Sequence, residues 1–242
     1  MMQLTEMQLV QGDELHRLLP DGTAWRILSL NVNGGLGSAG DTPKGYALSK
    51  WLQESKTSVV GLQETHELSQ WAAPGTNYMV VSDKGERNAR GAALLLSRNW
   101  IRRIGKHNAE AEIKTTSMGC GRGIRARIPM GPNHGVDIVS LYAPNEEGER
   151  QRFVQQMAEL MRDAHPAHTV VMGDLNEPSG SIHAWLQEWG LETTMRSLDV
   201  ETQIPTYIAP RGKRPRAIDW IYVSREISQT SVEYVLPTAT IT

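Results

Sequence analysis

TVVMGDLNEP, residues 169–178, passes from an apolar run directly into a polar turn. Residues 169–172 are apolar and rich in β-branched side chains, which is typical of a short buried strand. Gly173 removes the side chain where backbone or ligand must come close. Asp174 and Asn176 are two positions apart, so an extended backbone would place both side chains on one face. The stretch therefore predicts a buried strand that ends in an acid beside an amide.

This pairing of an acid with an amide has two interpretations. A carboxylate can accept a proton from water while a neighbouring amide donates a hydrogen bond to an oxyanion, and phosphoryl transfer needs both. Alternatively, Asp174 and Asn176 only cap a turn. The rest of the chain decides between these interpretations.

Length and composition favour one large intracellular domain. The chain has 242 residues, enough for a substantial core, and its single cysteine, Cys120, excludes an internal disulfide. Apolar runs such as residues 92–96 are too short to span a bilayer, so we expect no membrane partner. A net charge of -2 does not mark the whole chain as a nucleic-acid binder. We expect an intracellular protein, nuclear if its source is eukaryotic.

Hydrophobic spacing predicts more strands than helices. The predicted strands cover residues 25–31, 57–62, 78–82, 91–97, 100–107, 123–128, 136–142, 169–172, 204–208, 217–224 and 232–235. The predicted helices cover residues 43–54, 147–164 and 182–189, with a further amphipathic helix around Leu4 to Leu19. We interpret residues 1–24 as an appendage and residues 25–242 as the domain. Short strands with helices between them predict a layered α/β or α+β sandwich.

Five segments end an apolar strand with polar groups, and they occur in an informative order. They are LNVNG (residues 30–34), LQETH (62–66), LYAPN (141–145), GDLN (173–176) and AIDWI (217–221). Together they resemble the motifs of the endonuclease/exonuclease/phosphatase superfamily over roughly residues 25–242. The resemblance implies a DNase I-like fold, a four-layered sandwich of two mainly antiparallel β-sheets flanked by helices.

Within that superfamily, the chain is most similar to the apurinic-type endonuclease domains of non-LTR, LINE-like retrotransposons. Asn33 stands where abasic-site repair enzymes usually carry Asp. Thr206 and Tyr207 resemble a Thr-aromatic pair that retrotransposon domains use near target DNA. Arg216 stands where repair enzymes place an aromatic wall for the flipped sugar, which argues against a dedicated repair enzyme.

The resemblance also implies an active site. Glu64 would be the principal ligand of Mg²⁺ or Mn²⁺, with Asn31 or Asn33 assisting directly or through water. Asp174 would orient and deprotonate the attacking water. Asn176 and Tyr142 would stabilise the oxyanion, and Asn145 would contact a phosphate. Asp219 would hold the hydrogen-bond network of the site together.

One departure concerns the superfamily's last motif, Ser-Asp-His, which follows the final strand. Its expected position lies just beyond Thr242, where the sequence ends. Either this sequence stops one step short of the motif, or the chain as given is impaired.

Basic residues are clustered rather than evenly spread. Arg211, Lys213, Arg214 and Arg216 lie between two predicted strands, and Arg122 follows a glycine turn, so both places suit phosphate contacts. Arg98, Arg102 and Arg103 form a second group, and Arg122, Arg125 and Arg127 form a third, in which Arg122 lies between two glycines and is exposed enough to approach a phosphate backbone. Each group either contacts phosphates or forms a solvated strand face. We expect double-stranded DNA as a partner, together with a linked or neighbouring reverse transcriptase.

We therefore expect a divalent-metal-dependent DNA endonuclease that nicks a target site. Two alternatives remain open: a phosphatase or phosphodiesterase of the same superfamily that acts on a small or lipid phosphate, and a catalytically impaired DNA-binding relic.

Overall fold

Twelve described strands form two six-stranded sheets. The computed structural model describes residues 3–9, 25–34, 36, 42–66, 76–85, 89–105, 108–131, 134–177, 179–194, 217–227 and 229–233. The strands are β1 Gln3–Leu9, β2 Trp25–Asn31, β3 Val59–Gln63, β4 Tyr78–Asp83, β5 Ala92–Ser97, β6 Lys114–Ser117, β7 Gly123–Pro129, β8 Gly135–Tyr142, β9 Thr169–Asp174, β10 Leu191–Thr193, β11 Asp219–Ser224 and β12 Gln229–Glu233.

The first sheet has the order β12-β1-β2-β3-β5-β4 and the second the order β10-β11-β9-β8-β7-β6. Only β2–β3 and β8–β9 are parallel among the described pairs.

Four described α-helices connect or flank these strands. They are α1 Pro43–Ser55, α2 Arg98–Ile104, α3 Glu147–Leu160 and α4 Ser181–Glu188. Short 3₁₀ segments lie at Ala109–Glu112 and Pro166–His168. In the part of the chain that the structure describes, no helix is both long and apolar enough to cross a bilayer.

Three apolar clusters arrange these elements in four layers. The central cluster joins the facing sides of the two sheets, with Ile27 and Leu94 from one sheet and Ile138 and Val170 from the other. A second cluster packs α1 against the outside of the first sheet. A third packs α3 and α4 against the outside of the second sheet. The predicted four-layered sandwich is confirmed.

Strand register places the predicted polar residues at one edge. In the parallel pairs, Asn31 lies opposite Gln63, and Tyr142 lies opposite Asp174. β11 runs antiparallel to β9 and begins with Asp219 opposite Asp174. Directly opposite residues point to the same face of a sheet, so Tyr142, Asp174 and Asp219 form one row.

A buried polar contact joins the two sheets beneath this edge. The Gln63 side chain donates from Nε2 to Ser140 Oγ at 3.1 Å, and Ser140 Oγ donates to the Leu62 carbonyl at 3.3 Å. Both polar side chains are fully buried. Because buried polar groups are costly unless hydrogen-bonded, these bonds favour one relative placement of the two sheets.

The structure corrects the sequence interpretation at two places. Residues 3–9 form β1, which pairs with β2 and β12, so the predicted helix is wrong there, because pairing to a neighbouring strand overrides a weak helical pattern. Whether residues 1–24 are a separate appendage stays a prediction, since residues 10–24 lie outside the described part.

The second correction concerns the strand predicted for residues 100–107. α2 occupies this region, because Ser97 caps its first turn by accepting from the Trp100 N–H at 3.4 Å. Trp100, Ile101 and Ile104 are buried together, which matches helical rather than alternating spacing. The predicted final strand, 232–235, is observed as Gln229–Glu233, and the predicted strand 204–208 lies outside the described residues.

Gly173 permits the close approach that the sequence predicts. Its φ is +153°, and a Cβ added there would lie 1.9 Å from the Leu141 carbonyl oxygen. We expect Gly173→Ala to lower the free energy of unfolding by about 2 to 5 kcal/mol, because overpacking and backbone strain add. Urea unfolding should show a lower midpoint.

Gly148 provides the matched control for this substitution. It lies in α3, and a Cβ added there would meet no atom within 4 Å. Gly148→Ala should leave the free energy of unfolding unchanged or raise it by up to about 1 kcal/mol, because Ala has the higher helix propensity. Equal urea midpoints for the two variants would contradict this account of Gly173.

Candidate active site

Asn31 joins the two carboxylates of the predicted site. Its Nδ2 lies 2.9 Å from Glu64 Oε1 and 2.9 Å from Asp174 Oδ2, so one amide donates to both acids. Asn31 Oδ1 accepts from the Asn33 backbone N–H at 3.0 Å, which fixes the orientation of the amide. Asn31 ends β2 and Glu64 follows β3 in one sheet, and Asp174 ends β9 in the other. The site therefore lies where the two sheets meet.

Asp174 is a buried acid with an altered proton affinity. Only 2% of its surface is exposed, and this burial raises its pKa to about 6. The negative charge of Glu64 adds to the rise, while hydrogen bonds from the Asn31 amide and the Asn176 N–H lower the pKa. Such a carboxylate is ionised at neutral pH and accepts a proton more readily than an exposed aspartate.

Tyr142 lies beside the same acids as a protonated phenol. Its hydroxyl hydrogen-bonds to Glu64, and burial, followed by the charges of Glu64 and Asp174, raises its pKa well above the usual value. The Arg122 guanidinium carbon lies 5.1 Å from the centre of the Tyr142 ring. Tyr142 is therefore a hydrogen-bond donor, and a positive charge stands next to it.

Arg122 is held in place by its backbone and its side chain. The backbone N–H of Arg122 donates to Asp83 Oδ2 at 3.0 Å, and Arg122 Nη1 donates to the Tyr142 carbonyl at 3.5 Å. Its side chain is only 14% exposed, and Nη2 lies 3.6 Å from the Glu149 carboxylate. The sequence predicts an exposed arginine here, whereas the structure places a mostly covered one against the site.

Asn176 reaches the site by a turn and not by an extended backbone. Its φ is +52°, and its backbone N–H donates to Asp174 Oδ1 at 3.0 Å. Its Nδ2 donates to the Ala143 carbonyl at 2.8 Å, which leaves the second N–H of the amide for another acceptor. The predicted geometry of alternating strand positions is wrong for Asn176, although the residue does lie beside Asp174.

Three residues of the site have a left-handed backbone conformation. Asn33, Glu64 and Asn176 all have positive φ, at 47°, 52° and 52°. This conformation is costly for residues other than glycine, least for Asn, and it persists where surrounding contacts impose it. Glu64 lacks the tolerance of Asn, and its carbonyl accepts from the Gly34 N–H, so contacts between the two loops hold it in this conformation.

Several supporting residues were not predicted from the sequence. Lys44 lies in α1, and its Nζ donates to the Val32 carbonyl at 2.9 Å and to the Gly34 carbonyl at 3.0 Å. The buried carboxylate of Glu177 lies 3.3 Å from Arg150. Spacing along the chain does not reveal such contacts between elements. Only Glu177 could have been predicted as a supporting residue, because it directly follows the GDLN segment.

The predicted phosphate contacts are distributed differently. Asn145 is exposed, as a phosphate contact requires. Arg125 and Arg127 instead pair with the fully buried Asp137, at 3.1 and 3.4 Å, so the interpretation as free phosphate contacts is wrong for them. Six other predicted contacts lie outside the described residues: Thr206, Tyr207, Arg211, Lys213, Arg214 and Arg216.

The donor set suits a hard cation better than a soft one. Within the described ranges, no group of three or more His, Cys, Asp or Glu side chains could hold a metal. At this junction Glu64 and Asp174 supply carboxylate oxygens. Asn31 presents its NH₂ group to these acids while its Oδ1 accepts from the Asn33 N–H, and Asn33 is exposed on the adjacent loop. Mg²⁺ is commonly held by one or two carboxylates and keeps several waters, so these few oxygen donors fit it.

Comparison with known proteins identifies the family and the fold. The sequence model of the Endonuclease/Exonuclease/phosphatase family matches residues 28–240. The endonuclease domain of TRAS1, a telomere-specific non-LTR retrotransposon, is similar in structure, with a TM-score of 0.55, 14% identity, and coverage of 84% of this chain and 86% of that one. An AP endonuclease from Archaeoglobus fulgidus has a TM-score of 0.58 and 16% identity, over 83% of this chain and 86% of that one.

A third similar structure is D. rerio TDP2 complexed with a single-strand DNA product. Its TM-score is 0.52, with 12% identity over 82% of this chain and 84% of that one. At these identities the three likenesses show a shared fold.

Proposed function

The chain belongs to the endonuclease/exonuclease/phosphatase family, and we propose that it is a divalent-metal-dependent endonuclease that hydrolyses phosphodiester bonds in DNA. The superfamily predicted from the five motifs is confirmed, and membership supports a phosphodiester hydrolase. The choice of DNA, the metal and the individual residue roles belong to the proposal.

The observation that carries the proposal is the Asn31 bridge between Glu64 and Asp174. Two acids at the junction of two sheets repel each other, and burial of Asp174 makes its charge costly. A fold that only needed to be stable would gain from apolar groups here. A cation near Glu64 would offset this repulsion, so the arrangement suits metal-assisted hydrolysis.

Asp174 is the proposed proton acceptor. Its raised pKa, about 6, still leaves it ionised at neutral pH and brings it nearer to the optimum for a general base. The Asn31 amide and the Asn176 N–H hold its two carboxylate oxygens in place. Asp174 would take a proton from water as the water oxygen attacks phosphorus and the bond to the leaving oxygen breaks.

Asn176, Tyr142 and Arg122 are the proposed partners of the phosphate oxygens. The second N–H of the Asn176 amide is a neutral donor that is already oriented, so it stabilises developing charge without reorganising. The Tyr142 hydroxyl donates to Glu64 in this structure and would turn to a phosphate oxygen when substrate binds. Arg122 adds a positive charge beside Tyr142, and exposed Asn145 would contact a flanking phosphate.

Glu64 is the proposed principal ligand of Mg²⁺ or Mn²⁺, with Asn31 or Asn33 assisting directly or through water. When bound, such a cation neutralises charge on the scissile phosphate and its leaving oxygen. Asp219, opposite Asp174 in the sheet, would complete the hydrogen-bond network of the site.

The proposed substrate is double-stranded DNA. The similar structures include an endonuclease domain, an AP endonuclease and a protein bound to single-strand DNA product, by their own descriptions. Asn33 supports the more specific proposal of retrotransposon-like target nicking beside a linked reverse transcriptase. The basic group around residues 211–216 would contact the backbone, so binding should weaken as salt increases.

A direct comparison of substrates tests the proposal. The chain, with and without Ser-Asp-His added after Thr242, is incubated with supercoiled plasmid and Mg²⁺, and separately with inositol phosphates. We expect relaxed circles from the plasmid and no release of inorganic phosphate. Phosphate release without nicking would favour the phosphatase alternative. Tight DNA binding without turnover by both forms would favour the relic.

A further inference from the structure

We propose that Arg150 is a positioning residue that clamps together two loops of the active site, residues 142–145 and residues 174–177. The effect of Arg150 on catalysis rests on the proposed function. The connection between the two loops rests only on contacts in the structure. The first loop carries Tyr142 and Asn145, and the second carries Asp174 and Asn176.

One guanidinium group contacts both loops. Arg150 donates from Nη2 to the Asn145 carbonyl at 2.9 Å and from Nε to the Pro144 carbonyl at 3.4 Å. The same Nη2 lies 3.4 Å from the Asn176 carbonyl, and Nη1 lies 3.3 Å from Glu177 Oε2. The planar guanidinium therefore ties carbonyls that follow β8 to groups that follow β9.

Glu177 anchors the clamp to the body of the sandwich. Its Oε1 accepts from the Ile182 N–H in α4 at 3.0 Å. Its backbone carbonyl accepts from His183 Nε2 at 3.0 Å and from Trp220 Nε1 at 3.2 Å. The Glu177 side chain is 4% exposed and that of Arg150 18% exposed. Arg150 thus connects the loops to Glu177, which is itself held in place. Because both side chains are mostly buried, solvent weakens the ion pair between Arg150 and Glu177 little.

The position of Arg150 is unfavourable for its own helix. It lies in the first turn of α3, where the helix dipole disfavours positive charge. The other charged residues at that end, Glu147 and Glu149, have the favourable sign. Arg150 is therefore explained by its contacts to the loops and not by stabilisation of α3.

A second connection between the loops shows what Arg150 adds. The Ala143 N–H donates to the Asp174 carbonyl at 2.9 Å, and the Asn176 side chain donates to the Ala143 carbonyl. These bonds join the loops at their strand ends. The contacts of Arg150 lie farther along each loop. Arg150 therefore holds the backbone at Asn145 in the first loop and at Asn176 in the second.

Arg150→Ala, Arg150→Lys and the control Arg152→Ala test this role. Arg152 is an exposed arginine two positions farther along the same helix. We expect Arg150→Ala to lower kcat for plasmid nicking by about 10- to 100-fold, the usual effect of removing a group that orients catalytic residues. Lys should not restore kcat, because one ammonium cannot replace the fork of guanidinium donors. Added guanidinium ion, compared with NaCl at equal ionic strength, should partly restore the Ala variant.

Amide hydrogen exchange provides a readout that does not depend on activity. Arg150→Ala should speed exchange at Ala143 and Asn176, whereas Arg152→Ala should not. If the wild-type chain nicks nothing but this difference appears, the proposed function fails and the clamp stands. If the chain is active but Arg150→Ala changes neither exchange nor kcat, or guanidinium restores nothing, the clamp is wrong.

Discussion

Asp174→Asn is expected to reduce the rate of plasmid nicking by about a hundredfold to ten-thousandfold, the usual range for a general base. Asn cannot accept the proton from water. Its side-chain oxygen can still accept a hydrogen bond from the Asn31 amide or the Asn176 N–H, which in the native protein bond to Asp174 at 2.9 and 3.0 Å. The local structure should therefore persist, and gel quantification of relaxed circles at saturating DNA measures the loss.

Stability distinguishes this effect from unfolding. Burial raises the pKa of Asp174 to about 6, so ionisation of this group destabilises the folded protein, and the full effect is present at pH values above the raised pKa. Removing the charge should leave the thermal unfolding midpoint at pH 8 unchanged or higher. Asp163→Asn, at an exposed turn, is the matched control and should retain full nicking. Nicking by Asp174→Asn at the wild-type rate would remove Asp174 from the mechanism.

Glu64→Gln is expected to raise the Mg²⁺ concentration needed for half-maximal nicking by about 30-fold to several-thousandfold. This range corresponds to about 2 to 5 kcal/mol, the cost of removing one partner of a partly buried charge pair. Gln keeps an oxygen that can accept from the Asn31 amide, whose Nδ2 lies 2.9 Å from Glu64 Oε1. A titration of nicking rate against Mg²⁺ concentration measures the shift.

Glu149→Gln is the control for this titration. Its carboxylate is half exposed and lies 3.6 Å from Arg122, near the site but apart from the Asn31 bridge. Its Mg²⁺ dependence should match that of the wild-type chain. An equal shift in both variants would indicate a general loss of negative charge, and no shift in Glu64→Gln would exclude Glu64 as the principal ligand.

The sequence predicts where the functional groups lie more securely than how they are oriented. Asn31, Tyr142 and Asp174 each end a buried strand, and parallel pairing brings such ends together at one edge. That much follows from the alternation of apolar residues and from motif order. The turn at Asn176 does not follow, because a positive φ is imposed by contacts with Asp174 and Ala143.

Residues that act between distant elements were missed for the same reason. Arg150 is one of several charged residues in a helical sequence, and only the fold brings it to the carbonyls of both loops. Arg125 and Arg127 show the converse error. Both are basic residues in the predicted strand 123–128, and the fold pairs them with Asp137, which is fully buried.

The most direct test of the central claim is a crystal structure of the protein soaked in Mn²⁺, with anomalous scattering used to locate the ion. We expect an anomalous peak at ligand distance from the Glu64 carboxylate, beside Asn31 and next to Asp174. Mn²⁺ bound only elsewhere, or no peak at this junction under saturating Mn²⁺, would contradict the proposed metal-dependent active site.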